Sequence, residues 1–203
     1  MIIRPETEKD YHAVENLTRE AFWNRYRPGC TEHFILHNLR GDACFVPELD
    51  YLIEENGIIV AHIAYAKGEL ALDTGGRTEQ LLFGPVSVLP SYQNRGFGSR
   101  LIRFTLNRAA ELGFPSVVIT GSPEYYRRFG FEPASRYGIF YAGADRTEER
   151  PYFLVKILDP QAAEALRGCY TDPACYFVDG AAAEEFDRSF PPKIKERLPG
   201  QLE

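Results

Sequence analysis

The sequence predicts an α/β fold, and three observations carry that prediction. An apolar run from Leu81 to Leu89 is followed at once by the loop Gln93-Asn94-Arg95-Gly96-Phe97-Gly98-Ser99. Beyond the loop, Leu101, Ile102, Leu106, Ala109 and Leu112 fall on one arc of a helical wheel. Arg100, Arg103, Asn107, Arg108 and Glu111 fall on the opposite arc. Gly113 then suits a helix C-terminal cap, Pro115 stops the helix, and Ser116 to Thr120 reads as a short buried strand. Strand, loop, helix and strand in this order imply parallel neighbours joined by a right-handed crossover.

The other elements follow in order. Ile2-Ile3-Arg4 is a first strand, and Thr7 is the expected N-cap of a helix carrying Tyr11, Val14, Leu17, Ala21 and Phe22. A second helix covers Glu32 to Arg40. Tyr51-Leu52-Ile53 and Ile58 to Ala66 are strands joined by an Asn56-Gly57 hairpin turn. Asp73-Thr74-Gly75-Gly76 breaks the chain before the central strand. Within that strand, Gly84-Pro85 predicts a bulge, because proline gives no N–H to a ladder. Phe131 to Tyr141 and Tyr152 to Leu158 are the last two strands of a domain spanning 1–158. The composition shifts at Asp159-Pro160 into an extension, 159–203, with short helices at Pro160 to Arg167 and Ala181 to Ser189. Tyr170, Tyr176, Phe177, Phe186 and Phe190 make it too apolar for a disordered tail, so it is expected to pack on the core.

Composition narrows the function classes. A net charge of −6 disfavours nucleic acid and anionic membrane and is compatible with a cationic amine substrate. The sequence has no apolar run long enough to span a bilayer, and Met1 to Glu6 does not read as a signal peptide, so a cytoplasmic setting is expected. Cys30, Cys44, Cys169 and Cys175 match no zinc-ribbon or Cys-x-x-Cys spacing and are expected to be reduced, with Cys169–Cys175 the one disulfide weighed. His33 and His37 lie four apart on one helix without further ligands in view, so no metal is expected.

The glycine loop aims main-chain N–H groups at one point on the positive end of a helix, an arrangement suited to a phosphate or pyrophosphate. It lacks the Gly-Lys-Ser/Thr of a P-loop. It also lacks the third glycine of a dinucleotide fingerprint, because Leu101 stands there.

The stretch Val86-Ser87-Val88-Leu89-Pro90-Ser91-Tyr92-Gln93-Asn94-Arg95-Gly96-Phe97-Gly98 resembles the acetyl-CoA-binding motif of the GNAT-type N-acetyltransferases, Gln/Arg-x-x-Gly-x-Gly/Ala. A second stretch, Tyr125-Tyr126-Arg127-Arg128-Phe129-Gly130-Phe131, resembles that family's Tyr-x-x-Phe/Leu-Gly-Phe helix. Ser122-Pro123-Glu124-Tyr125-Tyr126 looks most like a subgroup of small bacterial predicted N-acetyltransferases. The resemblance implies a mixed, mostly antiparallel sheet with splayed central parallel strands and helices on both faces. It implies acetyl-CoA as co-substrate, with Val86, Ser87 and Val88 along the pantetheine arm. Gln93, Asn94, Arg95, Gly96, Phe97, Gly98 and Ser99 would surround the pyrophosphate.

Direct acetyl transfer to an amine needs a proton acceptor, an oxyanion donor and an acid for the leaving thiolate. The resemblance places that acid at Tyr126, with Tyr125 as its neighbour and alternative. Glu79 is the carboxylate best placed in sequence to act as base, ahead of Glu124 and Glu32, and a water chain is the other route. Ser122 departs from the Asn or Asp of many relatives. The expected acceptor is the primary amine of a small molecule. A protein lysine or N-terminus and a non-catalytic CoA-binding module are the alternatives, and a second copy of the chain is a candidate partner.

Overall fold

The computed structural model describes residues 1–201; Leu202 and Glu203, the end of the expected extension, lie outside the described residues. The chain divides into two compact units, each assembled from separated stretches. Of the described residues, 1–64, 85–101 and 174–201 form the first, and 65–84 and 102–173 the second.

In the first unit, β1 (Ile2–Pro5), β2 (Tyr51–Glu55) and the start of β3 (Ile58–Leu72) pair antiparallel. The β2–β3 turn is the expected one: Asn56 and Gly57 have φ of 51° and 76°, which a two-residue hairpin of this hand requires. Helices α1 (Tyr11–Phe22) and α2 (Glu32–Leu39) pack together, burying Val14, Leu17, Leu36 and Leu39. Thr7 is not the cap of α1. Asp10 takes that place, because Arg4 holds its carboxylate at 2.7 and 2.8 Å. The same carboxylate accepts from Thr7 N–H and Oγ1, curling 7–10 into a turn ahead of the helix.

The last stretch of this unit carries α5 (Gly180–Asp187), capped by Asp179, which accepts from the Ala182 N–H at 2.8 Å. It is tied down by Arg19. That guanidinium is 1% exposed, donates to both Asp187 oxygens at 2.6 and 3.1 Å, and lies over the rings of Trp23 and Phe190. Beyond it, the Trp23 indole donates to the Ile194 carbonyl at 2.9 Å.

In the second unit, β3 continues to Leu72 and returns as β4 (Arg77–Val88), which starts earlier than the apolar run suggests. β4 pairs parallel with β5 (Ser116–Thr120), and β5 pairs antiparallel with β8 (Phe153–Ile157), which also pairs with β6 (Glu132–Pro133). The strand order β1-β2-β3-β4-β5-β8-β6 is the mixed, mostly antiparallel sheet expected. The helix after the glycine loop is α3 (Phe97–Glu111), closed by Gly113 at φ 84°.

The expected single strand from Phe131 to Tyr141 is broken. Pro133 ends β6, a 3-10 turn covers Ala134–Tyr137, Gly138 turns at φ 70°, and β7 (Ile139–Tyr141) follows. The helix expected from Pro160 to Arg167 reduces to a 3-10 turn at Ala163–Ala165. Gly168–Thr171 then forms a strand that the sequence reading lacks, β9, which pairs with both β3 and β7. Gly168 is required there, since a Cβ would stand 2.0 Å from the Ala71 carbonyl oxygen.

His33 supplies a pH test. It is fully buried, with Nε2 3.1 Å from Asp187 Oδ1, and burial pulls its pKa down to about 4 against the opposing pull of Asp187. The unfolded chain therefore takes the proton first, and stability falls as the pH drops from about 6.5 to about 4, by about 3 kcal/mol at most. Urea denaturation at pH 7 and pH 4.5 is expected to show this loss, and a smaller one in His33→Asn.

Candidate functional site

The glycine loop and the strand before it are brought together in the first unit. At the end of β4, Val86 and Val88 are half-buried, whereas Ser87 is fully buried and its hydroxyl donates to Thr18 Oγ1 of α1 at 3.0 Å. The Ser87 side chain therefore ties the strand to α1. The Leu89 N–H bonds the Val60 carbonyl at 3.0 Å, and the Gln93 side chain reaches back to the Val88 carbonyl at 3.1 Å.

The turn itself uses left-handed backbone at Asn94 (φ 60°) and Gly96 (φ 85°) before α3 begins at Phe97. A Cβ added at Gly96 would meet nothing within 4 Å, so the cradle is open at that point. The first turn of α3 contains no acidic residue, leaving the positive helix end for an outside anion. Arg95 lies over the rings of Tyr92 (4.8 Å) and Phe97 (5.4 Å), keeping its charge beside the loop. Gly98 is buried, Ser99 half-buried, and Asn94, Arg95 and Gly96 exposed. This is a fit for a diphosphate: main-chain donors, room at the glycine and a positive side chain. Arg100 is turned to the Met1 sulfur at 3.2 Å.

The second unit holds the other candidates. The parallel ladder between β4 and β5 registers Leu81 with Val117 and Leu82 with Val118 and stops there, although β5 runs on to Thr120. Gly84, just past its end, has φ 146°, a backbone that side-chain-bearing residues rarely adopt. At the ladder's base sits Gln80, fully buried. Its amide donates to the Leu81 and Ser116 carbonyls at 3.1 and 3.2 Å and accepts from the Ser116 hydroxyl at 3.0 Å. Gln80 is the residue the sequence reading missed. The signal was there: an uncharged polar residue directly ahead of an apolar strand.

Tyr126 ends the short helix α4 (Pro123–Tyr126) and is 9% exposed. Its ring meets those of Tyr125, Phe131 and Phe83 at 5.0, 5.8 and 5.9 Å. It also presses on Gly121, where a Cβ would stand 2.4 Å from the ring. Beside Phe83, Tyr65 is fully buried, hydrogen-bonded to Thr105 at 2.8 Å, and burial holds its pKa well above the ordinary phenol range. The side chain of Glu79 is 67% exposed and ion-paired with Lys67 at 2.9 Å. Ser122 accepts the Tyr125 and Tyr126 N–H groups through its carbonyl, and its side chain makes no cap bond. Glu124 lines an open cavity of about 340 Å³ with Arg127, Phe131 and Arg136. Glu32, in the first unit, accepts from the Thr31 N–H at 2.9 Å, and burial raises its pKa.

His33 and His37 do not share a ligand. His33 faces Asp187, and His37 Nδ1 is 2.9 Å from Glu15. Among the described residues, no helix is long and apolar enough to cross a membrane.

Comparisons agree with this geometry. A family model described as an acetyltransferase (GNAT) domain matches residues 2–134. YjhQ of Escherichia coli K12, named an uncharacterised N-acetyltransferase, is 31% identical over 101 residues, covering 50% of this chain and 55% of that protein. The match thus spans about half of that relative's length. YhbS of the same strain, also named an uncharacterised N-acetyltransferase, is 27% identical over 140 residues, covering 68% of this chain and 78% of that protein. Among solved structures, a GNAT family acetyltransferase from Brucella melitensis in complex with acetyl-CoA aligns with a TM-score of 0.68 at 27% identity, over 87% of this chain and 97% of that one. Escherichia coli YhbS in complex with CoA aligns with a TM-score of 0.71 at 22% identity, over 86% and 91%, a likeness of fold alone.

The Gln80 clamp yields a stability test. Gln80→Leu leaves the buried Ser116 hydroxyl and carbonyl without their partner and is expected to cost about 1–3 kcal/mol. Gln80→Leu with Ser116→Ala is expected to cost less than the sum of the single changes. A double-mutant cycle in urea measures the difference.

Proposed function

The chain belongs to the GNAT acetyltransferase family, and from that premise we propose that it transfers the acetyl group of acetyl-CoA directly to the primary amine of a small molecule. The observation that supports this reading is the left-handed glycine turn opening onto an acid-free helix start, directly after β4. On this reading residues 1–158 are the acetyl-CoA-binding domain and 159–203 its extension.

Acetyl-CoA supplies an activated acyl group as a thioester. The main chain of Gln93 to Ser99 holds the diphosphate, with Arg95 adding charge. The main chain of Val86 and Val88 lies along the pantetheine arm, while Ser87 braces the strand through Thr18. Tyr126, packed against Phe83 and Phe131, is the proposed acid that delivers its phenol proton to the departing sulfur. Glu79 is the proposed proton acceptor. Its pairing with Lys67 and its exposure favour relaying the amine proton through water over direct contact.

Two variants test the reading. Tyr126→Phe is expected to lower kcat by about 10²-fold or more while leaving acetyl-CoA affinity within about twofold. Gly96→Ala places a methyl group in the cradle and strains a backbone held at φ 85°; it is expected to weaken acetyl-CoA binding at least tenfold by calorimetry while its far-UV circular dichroism stays that of the parent chain. Unchanged turnover in Tyr126→Phe removes the acid from that residue. Unchanged affinity in Gly96→Ala removes the diphosphate from the loop.

A further inference from the structure

Cys44 and Cys175 lie 131 positions apart in sequence, yet their sulfurs stand 3.2 Å apart within the first unit. Cys44 is in the turn that follows α2. Cys175 is in a 3-10 turn, Ala174–Tyr176, that packs on α2. Both are half-buried. The neighbour of Cys175 is therefore not Cys169, whose sulfur accepts from Arg146 at 3.1 Å.

We propose that Cys44 and Cys175 are an oxidation site, closing to a disulfide that ties the last stretch of the chain to the loop after α2. The proposal is independent of the acetyl-transfer reading. Two alternatives fit the geometry less well. Asp42 lies near both sulfurs, and the three groups could together hold a cation. Two thiolates on one zinc ion, about 2.3 Å from it, stand roughly 3.8 Å apart. These sulfurs are already closer than that, and the Asp42 carboxylate accepts from the Cys44 N–H at 2.9 Å. A simple thiol–thiol contact is the other reading, and it predicts no cross-link under oxidant.

The oxidant is a peroxide. Burial, then the hydrogen bond to Cys175, pushes the Cys44 thiol well above the ordinary range. One sulfur of the pair, as its thiolate, attacks the peroxide. The O–O bond breaks, leaving a sulfenic acid on that cysteine and, with one proton, a water. The second sulfur then attacks the sulfenic sulfur, the S–O bond breaks, and a second water leaves with the second thiol's proton. Two thiols and one hydrogen peroxide become one disulfide and two waters.

The test treats the full chain with hydrogen peroxide after complete reduction. The expected result is loss of two of its four thiols to a thiol reagent and a mass decrease of about 2 Da. A cross-linked peptide pair containing Cys44 and Cys175 is also expected, reversed by reductant. The 131-residue loop closed by this bond is expected to raise Tm by roughly 5–15 °C. Cys44→Ser and Cys175→Ser should each abolish the cross-link and the Tm shift, while Cys169→Ser retains both. Four thiols surviving the oxidant, or Cys44 and Cys175 recovered as separate oxygenated peptides, would overturn the proposal. A zinc-dependent rise in Tm abolished by the same serine variants, without a cross-link, would overturn it in favour of a cation site.

Discussion

The clamp at the base of the short parallel ladder between β4 and β5 is the constraint on which the strand pairing of the second unit depends. Two residue pairs are registered, Gln80 and Ser116 clamp their base through three hydrogen bonds, and Gly84-Pro85 follows. Loss of the clamp would let the register drift. Proline at 85 has no N–H to offer a ladder, and glycine at 84 takes a φ of 146° that side-chain-bearing residues rarely adopt.

The first unit buries charge alongside its apolar core. Glu6, Glu15, Arg40, Asp50 and His62 form one buried network, with Arg40 donating to Glu6 at 2.7 and 3.0 Å and to Glu15 at 2.7 Å, and His62 2.6 Å from Asp50. Burial opposes charge on His62, but Asp50 and Glu6 outweigh it and lift its pKa to about 9. Burial likewise works against Glu6, yet His62 and Arg40 hold it down at about 2. Glu6, Asp50 and His62 have the donor atoms of a cation site, but Arg40 and the charged imidazole already supply the positive charge those carboxylates need. The cluster is a closed ion network that fixes β1, β2, β3 and both early helices.

What was legible in the sequence was local. The hairpin at Asn56-Gly57, the wheel of α3, Gly113 at its end and the glycine turn are each set by neighbours a few residues away, and their residue types state the backbone they need. What was not legible depended on distant partners. Thr7 looks like a cap until Arg4 claims Asp10. Gln80 has no visible purpose until Ser116 is beside it, and Gly168 carries no strand signal until β3 supplies the edge. Ser87 illustrates the intermediate case: its place beside the loop follows from the motif, while the direction of its hydroxyl is decided by Thr18.

The salt link between Arg19 and Asp187 spans 168 positions and joins the two ends of the first unit. The second unit is complete once residue 173 has been made, whereas the first still lacks the stretch beginning at Ala174. During synthesis, then, Arg19 and His33 must wait on the ribosome in water, without the ring and carboxylate partners that later cover them. The order of assembly runs against the order of the chain, and the amino-terminal part is the last to be sealed.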